Sequence, residues 1–594
     1  MKKTTLLVIC MMMVSTMNAQ WGSDPSKNTL LAGVDTTYAY GEMAGNKNDS
    51  CSYLLYYKSY LPNPPYFHLY MQKIDLHGYK KWGNDGVLIS QGPNNKWISG
   101  VALVPNQDSC TFVAYSKIIF YPGPQDSVNK IFINKVTKSG KKLWGEEGIQ
   151  VGETTEYSSY GPVLLCTADN QVCIGYEDND TEQTPIGLLS DLKLKKFSAS
   201  GALVWQYTLP RDTAQFNAGI ILKLMQGGNI MAIYKHLRVG YSDTTFNQSI
   251  FVQKFDAAGT PLFPQPKDVL TYAKYKYDPP MTPVKVESNM QDGFYIGVSF
   301  SPETTEIQTF IQQIDASANT IFPQPVEVAT PSGEEIDRTD FDMRYLQDSH
   351  ELLVIWVERN FSYHNEMILG QKISSSGQRV WADTGKIFYP LTAMLDSAYA
   401  FITLRKSGTN ESVLFYMKKI NNDNEDVFSL ANKYGPDGNT LWAKPVLLSN
   451  RQGNNKGLNS IEEIGGQWVA YYTDFMDSTY AVRAKFQFYA QNLYPDGRIG
   501  LGVTEYANHT IPVKVYPNPS SDNLTIEFEK PFGTGVKLIL NTMQGQPLHC
   551  WDFTAGISGS NAVTISLNDF PAGLYLLNIQ TPNGSAMVKV VTLQ

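Results

Sequence analysis

The chain is poor in cysteine, histidine and charge. Its six cysteines and seven histidines, spread over 594 residues, form no CxxC pair and no Cys/His ligand spacing, which excludes a structural zinc site. Charged residues make up 18% of the chain and the net charge is −8. Ordinary globular domains carry roughly 25% charge, and a nucleic-acid partner would need a basic stripe, so that partner is excluded. No mature segment reaches the ~20 apolar residues of a transmembrane span. HExxH, GxSxG, Walker and Rossmann glycine patterns are all missing. What the chain does have is 35 Tyr, 46 Gly and 32 Pro within a 42% apolar composition. That excludes disorder and points to a turn-rich, all-β protein of several domains.

The first residues read as an export signal. Lys2 and Lys3 precede an apolar stretch from Thr4 to Val14, and Ala19 supplies the small residue at the cleavage point. Residues 1–19 are therefore expected to be a signal peptide, with Gln20 as the new N-terminus. Cys166 and Cys173 flank a tight turn at Ala168-Asp169-Asn170-Gln171. They read either as a cross-strand disulfide or as two unpaired buried thiols.

An internal repeat dominates the rest. Gln72-Lys73-Ile74, then Gly78 and Trp82, recurs as Asn134-Lys135-Val136 with Gly140 and Trp144. The same frame returns at Lys195 (Gly201, Trp205), Gln253 (Gly259, Phe263), Gln312 (Ala318, Phe322), Gln371 (Gly377, Trp381), Asn432 (Gly438, Trp442) and Gln491 (Gly497, Leu501). Successive copies stand 58 to 62 residues apart, and five of the ten tryptophans fall at one phase. Each period reads as four short strands, as in Val101–Val104, Thr111–Tyr115, Ile131–Val136 and Lys142–Val151. The turn glycine supplies positive φ. Four-stranded units in radial array are propeller blades. The expectation is an eight-bladed β-propeller over residues 20–505, with the repeated aromatic as a wedge between blades. Leu501 in the aromatic phase predicts a weaker wedge where the ring closes.

This frame resembles the tryptophan-docking repeat of eight-bladed quinoprotein propellers, and more loosely the delta-60-type repeats and sialidase Asp-boxes. The docking repeat has one more residue between its Asp and Gly than Asp75 and Gly78 allow, and the adjacent cysteines of quinoproteins are absent. The resemblance implies a scaffold and no catalytic residue.

After a linker at residues 506–510, the chain reads Val515-Tyr516-Pro517-Asn518-Pro519, later Pro571-Ala572-Gly573-Leu574-Tyr575-Leu576, and finally Val588-Lys589-Val590-Val591. Short alternating strands with Gly and Pro turns predict a small β-sandwich over 511–594. In order and position these motifs resemble the type A C-terminal sorting domain of the type IX (Por) secretion system, with Tyr516, Pro517, Asn518, Pro519, Gly573, Tyr575 and Lys589 as the matching residues. The resemblance implies the type IX secretion machinery as a partner. It also implies a secreted or outer-membrane cell-surface location.

Candidate site residues sit in the loops that lead into first strands, at the expected channel mouth. Trp97, Tyr157, Tyr160, Tyr277, Asp278, Asp396 and Tyr399 offer rings that stack and polar groups that orient a ligand. Asp337 and Asp340 lie in the acidic run Glu334–Asp342, where Arg338 stands to neutralise its neighbours. Glu177–Asp180 and Asn421–Asp426 carry oxygens of the kind calcium takes, without a spaced ligand pattern. No cofactor and no metal are otherwise expected. The functional expectation is a monomeric, exported propeller that binds an extracellular glycan or protein ligand without catalysis. A polysaccharide hydrolase or lyase at the channel mouth is the alternative.

Overall fold

The computed structural model describes residues 21–32, 38–60, 66–91, 98–119, 128–152, 158–184, 187–211, 215–239, 246–275, 284–300, 306–331, 335–338, 340–361, 363, 365–393, 397–420, 427–451, 454–475, 486–500, 511, 513–529, 535–542, 547–553, 561–581 and 584–593. The signal-peptide reading at 1–19 and the linker at 506–510 lie outside the described residues. The chain divides into two compact units, Met1–Leu501 and Gly502–Gln594.

The first unit is all-β. Its described strands form eight antiparallel sheets in chain order, numbered here one to eight. Seven have four strands and sheet six has five, because its first strand is broken into Ile336–Asp337 and Phe341–Leu346. Sheets one to seven are filled by consecutive strands, whereas sheet eight is completed by Thr29–Ala32 from the other end of the chain, paired antiparallel to Phe486–Leu493.

Second strands such as Leu352–Val357 and Tyr53–Tyr56 are buried on both faces, so they read as continuous apolar runs rather than alternating ones. Each pair of neighbouring sheets shares its own apolar cluster. Val113 and Tyr115 pack with Tyr53 and Leu55 between sheets one and two, and Ile233 and Val252 with Ile296 and Val298 between sheets four and five. Leu31, Ile461 and Tyr471 pack with Met43, Leu54 and Tyr56 between sheets eight and one. That last cluster closes the ring. At ~1.5–3 kcal/mol per buried large side chain, these interfaces dominate the unit's stability. First strands touch the first strands of neighbouring sheets and so form the inner wall of the channel.

The repeat frame has two structural jobs. In seven of the eight copies, all but the one that opens with Lys195, its first polar residue is an amide, and in the copies that follow it clamps the loop carrying the aromatic. Gln371 Nε2 donates to the Ala382 carbonyl at 2.9 Å, and Gln371 Oε1 accepts from the Trp381 amide at 2.9 Å. Asn134 repeats this with Gly145 and Trp144, and Gln72 with Gly83 and Trp82. The aromatic then docks on the hairpin of the next sheet. Trp144 Nε1 donates to the Ala199 carbonyl at 3.4 Å, and its ring lies where a Cβ on Gly201 would come within 3.1 Å.

Two expectations are corrected here, the weak wedge at ring closure and the length of one fourth strand, and of the two open readings of Cys166 and Cys173 the unpaired one holds. Leu501 lies outside the described residues, and ring closure is not short of a wedge. Trp21, 3% exposed, takes the eighth docking position: its Nε1 donates to the Leu76 carbonyl at 2.8 Å over Gly78. The outer strand of the last sheet comes from the N-terminal end, so its aromatic comes from there too. Cys166 and Cys173 are both free thiols. Cys166 is registered with Val172 and Cys173 with Leu165, which sends the two sulfurs to opposite faces, one toward sheet two and the other toward sheet four. The fourth strand of sheet two is also shorter than Lys142–Val151, amounting to Ile149–Gln150 after a single bridge at Lys142.

The second unit is a sandwich. Strands Val513–Tyr516, Asn523–Phe528 and Ala562–Ser566 form one sheet. Pro547–Phe553, Val536–Thr542, Gly573–Thr581 and Gly584–Thr592 form the other, in that spatial order. Leu524, Ile526, Leu538, Leu540, Leu577, Ile579 and Val590 fill the space between them.

Candidate functional site in the channel

Trp97, Tyr157, Tyr277, Asp278 and Asp396 lie outside the described residues. Of the remaining candidates, the structure joins Asp340 and Tyr399, sets Asp337 in register opposite the residue that links them, and leaves Tyr160 on sheet three. The link is Arg359, at the end of the second strand of sheet six. Its guanidinium meets Asp340 Oδ2 at 3.3 Å and Glu366 Oε2 at 3.4 Å, and donates to the Tyr399 carbonyl at 3.2 Å. Asp340 also accepts from the Phe401 amide at 3.1 Å, and Glu366 from the Tyr399 amide. The cluster therefore ties sheet six to the first strand of sheet seven.

Burial governs its protonation. Removal from water pushes Glu366 up to about 7, with the Tyr399 amide and Arg359 pulling the other way. Burial likewise raises Asp340 against the pull of Arg359, and lifts Tyr399 to about 12. Tyr399 is 2% exposed and packs on Tyr389 and Tyr416. It is a packing residue whose backbone, not its ring, belongs to the cluster. Tyr160 is an exposed residue of sheet three. Asp337 is registered with Arg359 and forms a parallel bridge to Ile307.

Arg338 neutralises residues other than its sequence neighbours. Its Nε meets Glu358 Oε2 at 2.8 Å, its Nη1 stands 3.7 Å from Glu306 Oε1, and its carbonyl accepts from Thr309 Oγ1 at 2.7 Å. Glu306, Glu358, Arg359 and Glu366 escaped the sequence reading. The available signal was Glu358-Arg359, two charges directly after the apolar run Leu352–Val357.

The first strands carry a second set of charges along the channel wall. Arg344 meets Glu287 at 2.9 Å and stands 3.9 Å from Glu462, and Lys285 is 3.6 Å from Asp342. Burial raises Glu287 and lowers Lys223, which faces it electrostatically. A cleft of about 370 Å³ opens between the first strands of sheets seven, eight and one, walled by Lys47, Arg405, Glu462 and Glu463 over Met43 and Ile461. A second cleft of about 280 Å³ adjoins it at Gly45 and Lys47 and runs under Asn106 and Thr167. Among the described residues neither Lys47 nor Arg405 has a carboxylate partner, and Arg405 donates instead to the Ser460 carbonyl at 2.5 Å. No group of three or more His, Cys, Asp or Glu converges as a metal site among the described residues.

In the second unit the motif residues have distinct roles. The Asn518 side chain donates to the Lys589 carbonyl at 2.5 Å and accepts from the Val591 amide at 2.9 Å. Pro517 and Pro519, both following cis peptide bonds, flank it. Tyr516 OH donates to Glu527 at 3.0 Å, Tyr575 OH to the Pro571 carbonyl at 2.8 Å, and the Gly573 amide to Thr592 Oγ1 at 2.9 Å. Lys589 is exposed, with no side-chain partner among the described residues.

No curated protein matches the chain. Among solved structures, a protein of unknown function from Dyadobacter fermentans is 10% identical, over 57% of this chain and 95% of that one, with a TM-score of 0.33. A PL25 ulvan lyase is 11% identical, over 82% and 98%, with a TM-score of 0.36. An alpha-L-arabinanase from Penicillium chrysogenum is 11% identical, over 54% and 94%, with a TM-score of 0.29. Likenesses this distant carry no functional argument. Residues 514–593 match the family described as the secretion system C-terminal sorting domain. The second unit is thus a type IX secretion sorting domain, and the protein that carries it is secreted or displayed at the outer-membrane surface.

Proposed function

We propose that the propeller binds an extracellular ligand, glycan or protein, in its central channel and performs no chemistry on it. The observation that carries this reading is the cleft walled by Lys47, Arg405, Glu462 and Glu463 on an apolar floor. Polar groups of both signs around an apolar base suit orientation of a polar ligand. The described carboxylates around Asp340 support binding over catalysis at that end of the channel, while Glu462 and Glu463 line the cleft itself. Asp340 and Glu366 share Arg359, and Glu306 and Glu358 share Arg338, so each is already engaged. Glycosidic cleavage needs two carboxyl groups free to work ~5–9 Å apart.

The hydrolase or lyase reading draws on one feature, the buried Glu366 carboxyl pushed up to about 7, a value suited to holding a proton at neutral pH. A screen of the exported chain against polysaccharide and protein panels separates the two. Retention of a ligand that is weakened by Lys47→Glu supports binding. Turnover of any polysaccharide that is lost in Glu366→Gln overturns it.

A further inference from the structure

Five first strands of the propeller carry the same irregularity. A bulge interrupts their pairing at Gly100 in sheet two, Gly161 in sheet three, Gly219 in sheet four, Phe401 in sheet seven and Gly457 in sheet eight. The bulged residue has a left-handed backbone in every case, with φ from 52° at Phe401 to 80° at Gly457. Four of the five are glycine, which adopts this conformation without a Cβ clash. Phe401 is the exception. Among the described residues it is the one non-glycine with positive φ inside a strand. A bulky residue held there is strained, and such strain collects where a protein aims a side chain at a ligand.

The bulge position looks into open space. Nothing lies within 4 Å of a Cβ built on Gly161 or on Gly457. Farther along the strand of sheet seven, Ile402 and Leu404 pack toward sheet six, and Thr403 and Arg405 bond to Ser460 of sheet eight. Phe401 does neither and is 47% exposed on the channel wall. Its amide donates to Asp340 Oδ2 at 3.1 Å, the oxygen that also meets Arg359. Asp340 Oδ1, on a partly exposed carboxylate, accepts no hydrogen bond among the described residues. An exposed ring and a free acceptor are thus tied together by one hydrogen bond.

We propose that Phe401 is a platform on which one sugar ring of a glycan stacks, with a hydroxyl of that sugar donating to Asp340 Oδ1. A pyranose has an apolar C–H face and a rim of hydroxyls, which match the ring and the acceptor. A saccharide chain can enter a channel lined by first strands, whereas a folded protein surface cannot. Phe401 and Arg405 are four residues apart on one strand, roughly 13 Å along the wall, so one chain can reach from the platform to the cleft. The inference rests on the reading of the propeller as a ligand binder and narrows that ligand to a glycan.

The test is binding of the exported chain to xylan, dextran, laminarin and starch, beside a proline-rich peptide as the rival occupant. At least one polysaccharide is expected to bind. Phe401→Gly and Phe401→Leu should weaken it about tenfold, as loss of one central aromatic contact does, and Phe401→Tyr should stay within about twofold. Phe401→Gly should also keep or raise the melting transition without ligand, because glycine relaxes the backbone. A lowered transition in that variant makes the ring a packing residue and overturns the proposal. A polysaccharide held equally by wild type and Phe401→Leu, yet weakened by Lys47→Glu, overturns the platform and leaves the binding reading standing. Binding of the peptide alone overturns the choice of a sugar. Binding of none of the five overturns both readings.

Discussion

Trp21 and Gly78 stand 57 residues apart in sequence and in contact in the fold, with the indole Nε1 donating to the Leu76 carbonyl at 2.8 Å. A Cβ built on Gly78 would lie 2.8 Å from Trp21 Cδ2, and the glycine sits at φ 85°. The indole and the bare backbone are therefore complementary, and the pair repeats at the ring closure what Trp144 and Gly201 do between sheets two and three.

Trp21→Ala should destabilise the first unit by about 3–5 kcal/mol, as other deletions of large buried aromatics do. Trp144→Ala and Trp205→Ala, 8% and 9% exposed, should cost a similar amount. Thermal melting of the three variants checks this. An unchanged transition for Trp21→Ala would show that the ring holds without its N-terminal segment.

Gln371→Leu should cost about 1–3 kcal/mol despite its apolar gain. It leaves the Trp381 amide and the Ala382 carbonyl without their amide partner in a partly buried loop. Denaturant melts of this variant beside an exposed control such as Gln378→Leu would separate the clamp from simple loss of polarity.

Glu366 should make stability depend on pH. Its folded value, about 7, lies above its ordinary value of 4.5 because burial disfavours the charge. The folded state thus binds the proton more tightly than the unfolded chain does. The stabilisation is fully present below about 4.5 and is lost as pH rises through about 7, by up to about 3 kcal/mol. Glu366→Gln should flatten the melting profile across that window and raise the transition at pH 8. An identical profile for variant and wild type would remove Glu366 from the account.

Reductant should leave the melting transition unchanged, because Cys166 and Cys173 face opposite sides of sheet three. Thiol titration of the unfolded, non-reduced protein should find both sulfurs reactive. Their absence from the count would show a disulfide, and with it a different register for that hairpin.

The sequence by itself determined the periodic part of this protein. A polar–Lys–apolar triplet, a turn glycine and an aromatic recur at fixed offsets because each copy must build the same hairpin and dock on the next, so repeat, class and sorting motif are all local patterns. Tertiary structure decided whatever joins residues distant in the chain. No spacing rule links Trp21 to Gly78 or Thr29–Ala32 to Phe486–Leu493, since ring closure is a property of the whole circle. The carboxylates that Arg338 and Arg359 hold come from other strands, so reading Arg338 against Asp337 and Asp340 found the right charge and the wrong partners. The cleft at Lys47 and Arg405 exists only because sheets seven, eight and one place three first strands side by side.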